Sequence, residues 1–127
     1  FPPNIKTIQS SCLRQCKNIK SITIPNGVTT IKTDAFNTCN GCISISIPQT
    51  VTTIENYAFY AMYKLESVEI PTSITKLPNQ VFRSCYSLTF VTIPATITSV
   101  GDRAFANCVN LQSVNFLGKN PQVMEVA

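Results

Sequence analysis

The chain has 127 residues, 44% of them hydrophobic and 13% charged, with ten Lys and Arg against six Asp and Glu, a formal net charge of +4 and no histidine. This composition supplies enough apolar residues for a core and excludes an unfolded chain, and its dispersed basic residues form no phosphate-tracking stripe, which argues against a nucleic-acid ligand. The lack of histidine removes the commonest general base and metal ligand, together with every Ser–His or Cys–His nucleophile, and no run of about 18 apolar residues is present to span a membrane.

The opening Phe1-Pro2-Pro3 carries no initiator Met, basic n-region or apolar h-region, so the sequence reads as a piece of a longer or processed protein. It also starts a repeat. Pro2, Pro25, Pro48, Pro71 and Pro94 stand 23 residues apart, and Leu117 continues the column. Each is preceded by an apolar residue (Phe1, Ile24, Ile47, Ile70, Ile93, Phe116), and two residues earlier lie Ile22, Ile45, Val68, Val91 and Val114. This alternation of β-branched and polar residues predicts a short strand in every unit, ended by a proline that cannot donate to a ladder. Two further apolar columns follow, Ile5, Val28, Val51, Ile74, Ile97 and then Ile8, Ile31, Ile54, Leu77, Val100, Val123. The unit then reads Ala35-Phe36-x-x-Cys39, repeated as Ala58-Phe59-x-x-Met62, Val81-Phe82-x-x-Cys85 and Ala104-Phe105-x-x-Cys108, with Cys12-Leu13-x-x-Cys16 in the first copy. Its spacing predicts a short α- or 3₁₀-helical turn opposite the strand.

A 23-residue unit is too small to bury its own apolar side, so the copies must stack, like position on like position, around one continuous core. The expected organisation is a single domain over 1–127. Its repeats are a partial one at about 1–18, then 19–41, 42–64, 65–87 and 88–110, and a partial cap at 111–127.

The pattern Leu65-x-x-Val68-x-Ile70 and Leu111-x-x-Val114-x-Phe116 resembles a leucine-rich repeat. The fuller run through Pro, Val/Ile-Thr, Ala-Phe and Cys resembles the BspA-type leucine-rich repeat, over essentially residues 1–117. Departures are Cys42 for Leu, Met62 for Cys, Cys12-Leu13 for Ala-Phe, and the break at Gly118-Lys119-Asn120-Pro121. The resemblance implies a leucine-rich-repeat solenoid of about five stacked coils, with short parallel strands on the concave face and short helical turns on the opposite side. It further implies a surface or secreted protein of anaerobic bacteria or parasitic protists, of a family in which some members adhere to extracellular-matrix proteins such as fibronectin and fibrinogen. The family's motif residues are core positions, so none of them carries over as a binding residue.

Cys39-Asn40-Gly41-Cys42 has the C-x-x-C spacing of metal and redox sites, but both cysteines fall on inward columns, and no second pair or histidine completes a zinc site. Buried structural thiols are expected, and no metal. The stacked pairs Cys16/Cys39 and Cys85/Cys108 would lie near disulfide range, with the reduced form favoured because Met62 is tolerated in the same column. Asp34, Glu55, Glu66, Glu69, Asp102 and Glu125 read as surface acids; Glu66 and Glu69 share one strand segment and do not face each other across a cleft. There is no phosphate loop. No catalytic residue, cofactor or small-molecule substrate is therefore expected, and the chain reads as a binding module.

Two surface features stand out. The outward strand columns are Ser21, Ser44, Ser67, Phe90, Ser113 and Thr23, Ser46, Glu69, Thr92, Asn115. This is a solvated polar face, or one on which Phe90 anchors a ligand flanked by Ser67, Glu69 and Thr92. All four tyrosines, Tyr57, Tyr60, Tyr63 and Tyr86, fall on two adjacent coils in outward columns, with Arg83 equivalent to Tyr60. On a helical turn Tyr57, Tyr60 and Tyr63 would form one stripe, and Tyr63 and Tyr86 should stack. Tyr and Arg are enriched at binding hot spots, so the group is either a protein-binding patch or a cover for the apolar flank of the turns. The column Thr29, Thr52, Thr75, Thr98 reads as hydroxyl stacking at a turn rather than an ice-binding face. Two functions stay open: a cell-surface or secreted adhesion module for a host or matrix protein, and a cytoplasmic scaffold. The second fits the free-thiol-rich core and the lack of an Asn-x-Ser/Thr sequon.

Overall fold

The strand segments pair as their 23-residue spacing requires. In a computed structural model, which describes residues 1–118, the strands β2 (Ser21–Thr23), β4 (Ser44–Ser46), β6 (Ser67–Glu69), β8 (Phe90–Ile93) and β10 (Ser113–Phe116) form one parallel sheet in the order β10-β8-β6-β4-β2. Lys119, Asn120, Pro121, Val123 and Glu125, and with them the end of the expected cap, lie outside the described residues. Register is like on like: Ile22 pairs with Ile45, Ile45 with Val68, Val68 with Val91, and Val91 with Val114. A one-residue slip would turn every buried β-branched side chain to solvent, so the alternation itself fixes the register.

A second set of two-residue strands follows each proline: β1 (Thr7–Ile8), β3 (Thr30–Ile31), β5 (Thr53–Ile54), β7 (Lys76–Leu77) and β9 (Ser99–Val100). These pair as β1-β3-β5 and, separately, β7-β9. The interruption has a chemical cause. The N–H groups of Lys32, Glu55 and Gly101 each donate to a carbonyl one coil back, Ile8, Ile31 and Leu77, at 2.9, 2.9 and 2.7 Å. The equivalent residue of the intervening coil is Pro78, which has no N–H to offer Ile54. Just before it, Thr75 N–H also lacks the bond that Thr29, Thr52 and Thr98 make to the preceding coil at 2.8–2.9 Å, among the described residues. A slot of about 290 Å³ lined by Thr52, Thr53, Ile54, Thr75, Lys76 and Pro78 opens at this point.

The third side is not helical. Among the described residues there is no α- or 3₁₀-helix; the Ala-Phe-x-x-Cys segments are successive turns. Two positions per coil have left-handed φ, for example Asp34 (61°) and Thr38 (59°), Tyr57 (62°) and Ala61 (57°), Gln80 (56°) and Ser84 (63°). A left-handed residue every fourth position stops the i→i−4 bonding of a helix. Instead the N–H groups alternate. Those of Ala35, Asn37 and Cys39 close turns on Lys32, Asp34 and Phe36 in their own coil, whereas Phe36 and Thr38 donate to Ala58 and Tyr60 of the next, both at 2.9 Å. Each left-handed non-glycine residue costs about 1 kcal/mol, an amount that one net inter-coil hydrogen bond of about 1 kcal/mol offsets. At the corner beside these turns, side chains complete the bonding. Asn79 N–H donates to Asn56 Oδ1 (3.1 Å), Asp102 N–H to Asn79 Oδ1 (2.8 Å), and Thr33 N–H and Oγ1 to Glu55 Oε2 (2.9 and 3.0 Å). The Thr33 bonds, backbone first, and the Lys32 ammonium 3.6 Å away hold the Glu55 carboxyl below its usual range.

The core is a set of ladders between these three sides. Phe36, Phe59, Phe82 and Phe105 are fully buried and stack at 5.5, 5.3 and 5.6 Å with interplanar angles of 3°, 8° and 13°. Phe1, which its sequence column would place inside, is 46% exposed and meets the stack edge-on at Phe36, 6.4 Å away. Cys12 is likewise exposed, and Leu13 and Cys16 are half-buried, because the first coil has a described neighbour on one side only. Cys39, Cys42, Cys85 and Cys108 are buried, and all six cysteines are free thiols. Burial pushes the Cys39 thiol up to about 12 and that of Cys108 to about 11, and raises Cys42 and Cys85 as well. Cys108 and Cys42 donate S–H to the carbonyls of Phe82 and Ser44, both at 3.1 Å. Gly41, inside the C-x-x-C, sits where any β-carbon would collide with the Lys17 carbonyl of the coil before it.

Three outcomes follow from this architecture. Phe82→Ala removes the ring stacked between Phe59 and Phe105 and should cost about 3–5 kcal/mol in urea unfolding; a loss under about 1 kcal/mol would mean the column relaxes around the cavity. In native-state hydrogen exchange, the Thr75 amide should exchange roughly tenfold or more faster than those of Thr52 and Thr98, and equal protection would show that the ladder closes across Pro78. At pH 8 a thiol reagent should label Cys12 in the folded protein while Cys39, Cys85 and Cys108, held protonated by burial, react only on unfolding. Rapid native labelling of Cys85 or Cys108 would contradict their buried placement.

Candidate functional site

With inward positions committed to the core, function falls to outward side chains. The tyrosines do not form the one stripe that a helical turn would give, because the backbone there is a chain of turns. They form two groups. In the first, Tyr57 and Tyr60 meet edge to face at 5.8 Å and 74°. The Tyr57 hydroxyl accepts a hydrogen bond from Gln80 Nε2 (3.0 Å), and Gln80 Oε1 accepts one from Arg83 Nη1 (2.7 Å). Tyr57, Tyr60 and Arg83 are all half-buried, and Arg83 Nε is buried without a partner among the described residues. This group is tied down and offers little free surface.

The second group is open. Tyr63 and Tyr86, one coil apart, stack at 5.0 Å with an interplanar angle of 6° and remain 37% and 41% exposed. Asn110 Nδ2 donates to the Tyr86 carbonyl at 2.7 Å, which ties the next coil to this position. Val109 is the next member of the column and is 73% exposed. The resulting ridge, Tyr63-Tyr86-Val109, is longer by one residue than the tyrosines alone suggested; the 23-residue column that contains both rings was the signal for it. Offset-stacked rings hold each other in place, so a ligand meeting them orders little side-chain freedom.

On the sheet face, Phe90 is 48% exposed, with Ser67 and Ser113 opposite it in the ladder. It lies in a hollow of about 430 Å³ whose wall includes Ser67, Glu69, Thr72, Thr92 and Leu117. The sheet face thus brings Phe90 together with Ser67, Glu69 and Thr92, as expected, and adds Thr72 and Leu117. These two belong to the corner after the strand and were hidden because they lie outside the alternating columns. The Thr29, Thr52 and Thr98 side chains are exposed, and their hydroxyls donate to carbonyls of the preceding coil, Lys6, Thr29 and Thr75, at 3.3, 3.4 and 3.2 Å. Glu66 and Glu69 are both exposed. Among the described residues no group of three or more His, Cys, Asp or Glu side chains could hold a metal ion, and no helix is long and apolar enough to cross a membrane.

Among solved structures, the fold is similar to a leucine-rich repeat protein of T. pallidum, with a TM-score of 0.83 at 24% identity over 93% of this chain and 65% of that one. It is also similar to a leucine-rich cell surface protein of Faecalibacterium prausnitzii A2-165, with a TM-score of 0.64 at 28% identity over 80% of this chain and 33% of that one. A leucine-rich repeat protein of Eubacterium ventriosum superposes with a TM-score of 0.69 at 24% identity over 94% of this chain and 37% of that one. The chain thus spans between one third and two thirds of the length of these relatives. No curated protein matches it. The model of the BspA type leucine-rich repeat region matches residues 6–126 in six copies, and the chain belongs to that family.

Proposed function

We propose that this chain is a protein-binding module of a cell-surface or secreted adhesin, recognising a host or extracellular-matrix protein of the fibronectin or fibrinogen class. Leucine-rich repeats of this family are interaction modules. The observation that carries the reading is the exposed Tyr63–Tyr86 stack, continued in its column by the exposed Val109. Paired tyrosines present a large, rigid contact area with an apolar body and a polar tip, the combination found at protein-binding hot spots. Tyr57, Tyr60 and Arg83 form a separate, half-buried group on the same two coils that would add contact area at its edge, and Phe90 with Glu69 offers a second contact on the sheet face. The surface location rests on the family and on the similar F. prausnitzii protein being a cell surface protein. A second reading, an intracellular scaffold, is favoured by the free buried thiols, which suit a reducing compartment.

The test is saturable binding of the purified chain to immobilised fibronectin and fibrinogen at physiological salt, beside Tyr63→Ala/Tyr86→Ala. The double substitution should weaken binding by about tenfold or more while leaving the unfolding midpoint nearly unchanged. Undiminished affinity would remove the ridge from the binding site. Absence of binding by the unmodified chain at micromolar concentration would favour the scaffold.

A further inference from the structure

We propose that the hollow around Phe90 receives an arginine side chain of a partner protein, its guanidinium lying on the Phe90 ring and pairing with the Glu69 carboxylate. The inference rests on the reading of the chain as a protein-binding module and names the chemistry one of its faces selects.

The sheet face presents ten outward positions in two columns, and nine are uncharged. The exception is Glu69, on a chain whose formal charge is +4. Phe90 is the one aromatic residue among the ten, and it occupies the strand beside that of Glu69. Ser67 is opposite Phe90 and Thr92 is opposite Glu69, so Phe90 and Glu69 are diagonal neighbours. With strands about 4.8 Å apart and a rise of about 3.3 Å per residue, such diagonals in a parallel pair are about 8 Å apart, room for a planar cation to cover the ring and still reach the acid. Phe90 has serines on both sides in the ladder, and among the described residues no other ring stacks on it. Glu69 is exposed and, among the described residues, has no cationic partner.

The sheet is internally paired, so its backbone has no donors or acceptors free in the middle to add a strand. A ligand here must be read through side chains. The wall combines an apolar side, Ile70, Pro94 and Leu117, with hydroxyls from Ser67, Thr72 and Thr92. Arginine meets each of these demands with one group. Its three-carbon stem covers apolar wall, its planar guanidinium stacks on an aromatic face, and its fork of donors pairs with a carboxylate and nearby hydroxyls. A lysine ammonium satisfies Glu69 but is more strongly hydrated and cannot stack as a plane. The hollow's volume of about 430 Å³ exceeds one side chain, so residues flanking the arginine would also be accommodated.

The experiment is an NMR titration of the isotopically labelled chain with acetyl-Gly-Arg-Gly-amide, its citrulline analogue and its lysine analogue. The arginine peptide should bind saturably with millimolar affinity, shifting Phe90 ring and Leu117 methyl resonances. Citrulline, which keeps shape but loses charge, should bind about tenfold more weakly, and Lys should fall between them. Glu69→Gln should lower arginine affinity about tenfold. Phe90→Ser, which restores the residue that every other coil carries at this position, should abolish the shifts without loss of fold. Equal binding of the citrulline or lysine peptide, shifts that map away from Phe90, or no saturation at tens of millimolar would each overturn the proposal. Peptide binding without capture of a matrix protein would leave the hollow assigned and the adhesin reading refuted; the converse would refute the hollow alone.

Discussion

Every coil of this solenoid leaves backbone donors and acceptors that it cannot satisfy by itself, and the coil beside it is the only place to satisfy them. The sheet strands, the short strands after the proline and the alternate N–H groups of the turns all aim along the stacking axis. Because buried polar backbone is costly when unpaired, each coil must copy its neighbour's path, residue for residue. The uninterrupted 23-residue spacing is the sequence record of that demand: one insertion would misalign three ladders at once. Pro78 shows how strict the demand is. Around this proline, where Pro78 has no N–H and Thr75 N–H makes no inter-coil bond among the described residues, the outer ladder divides into two, while the sheet and the turns hold coils together on the other sides.

Side-chain packing follows from the same copying. A residue stacked on its own kind at the strand spacing of about 4.8 Å needs a shape that tolerates a neighbour directly above it. Phenylalanine does so by offset stacking, which is why the four buried rings lie within 13° of parallel from one coil to the next. Small thiols fit the next column, and Met62 fits there too because a flexible thioether adapts to the space. Cys39, Cys42, Cys85 and Cys108 are therefore part of the packing, and their raised thiol pKa values are a result of burial.

Much of this could be read from the residues. Ile22, Ile45, Val68 and Val91 alternate with polar residues and are buried in strands; Phe36 to Phe105 recur and stack. The turns were less legible. Ala35-Phe36-x-x-Cys39 places apolar residues three or four apart, which a helix and a run of turns both do, and nothing distinguishes them locally. The left-handed positions would announce themselves as glycine or asparagine, but here Ser11, Asp34, Tyr57, Gln80 and Arg103 occupy one of them. The inter-coil bonds select that conformation, and they are invisible within any single repeat. The error carried into the surface: a helical stripe of Tyr57, Tyr60 and Tyr63 became an anchored pair and a separate stack. The Tyr63–Tyr86 pairing was legible because it depends only on the 23-residue register. The roles of Leu117 and Thr72 were not, because a hollow is a property of shape: Leu117 departs from the proline column, but nothing in that column says it lines a wall beside Phe90.

The same register that constrains the core also organises what the surface can recognise. An outward side chain has its nearest equivalents one coil away, so any patch larger than a single residue must be assembled from matching columns of adjacent repeats. Tyr63 with Tyr86, and Phe90 with Glu69, are built this way, each spanning two coils. Neither needs a change in an inward residue, since a serine could replace Phe90 without touching the ladder beneath it. Recognition can therefore change coil by coil while the stack persists, and a binding site in such a chain is found where neighbouring coils depart together from the polar background. The central coils do this twice, with stacked aromatic edges near the turns and an aromatic–acid pair on the sheet. The chemistry of the two differs: the ridge has no acid among Tyr63, Tyr86 and Val109 and suits an apolar surface, whereas the sheet hollow couples a ring to a carboxylate and suits a cation. A ligand contacting both would be fixed in orientation by that difference alone.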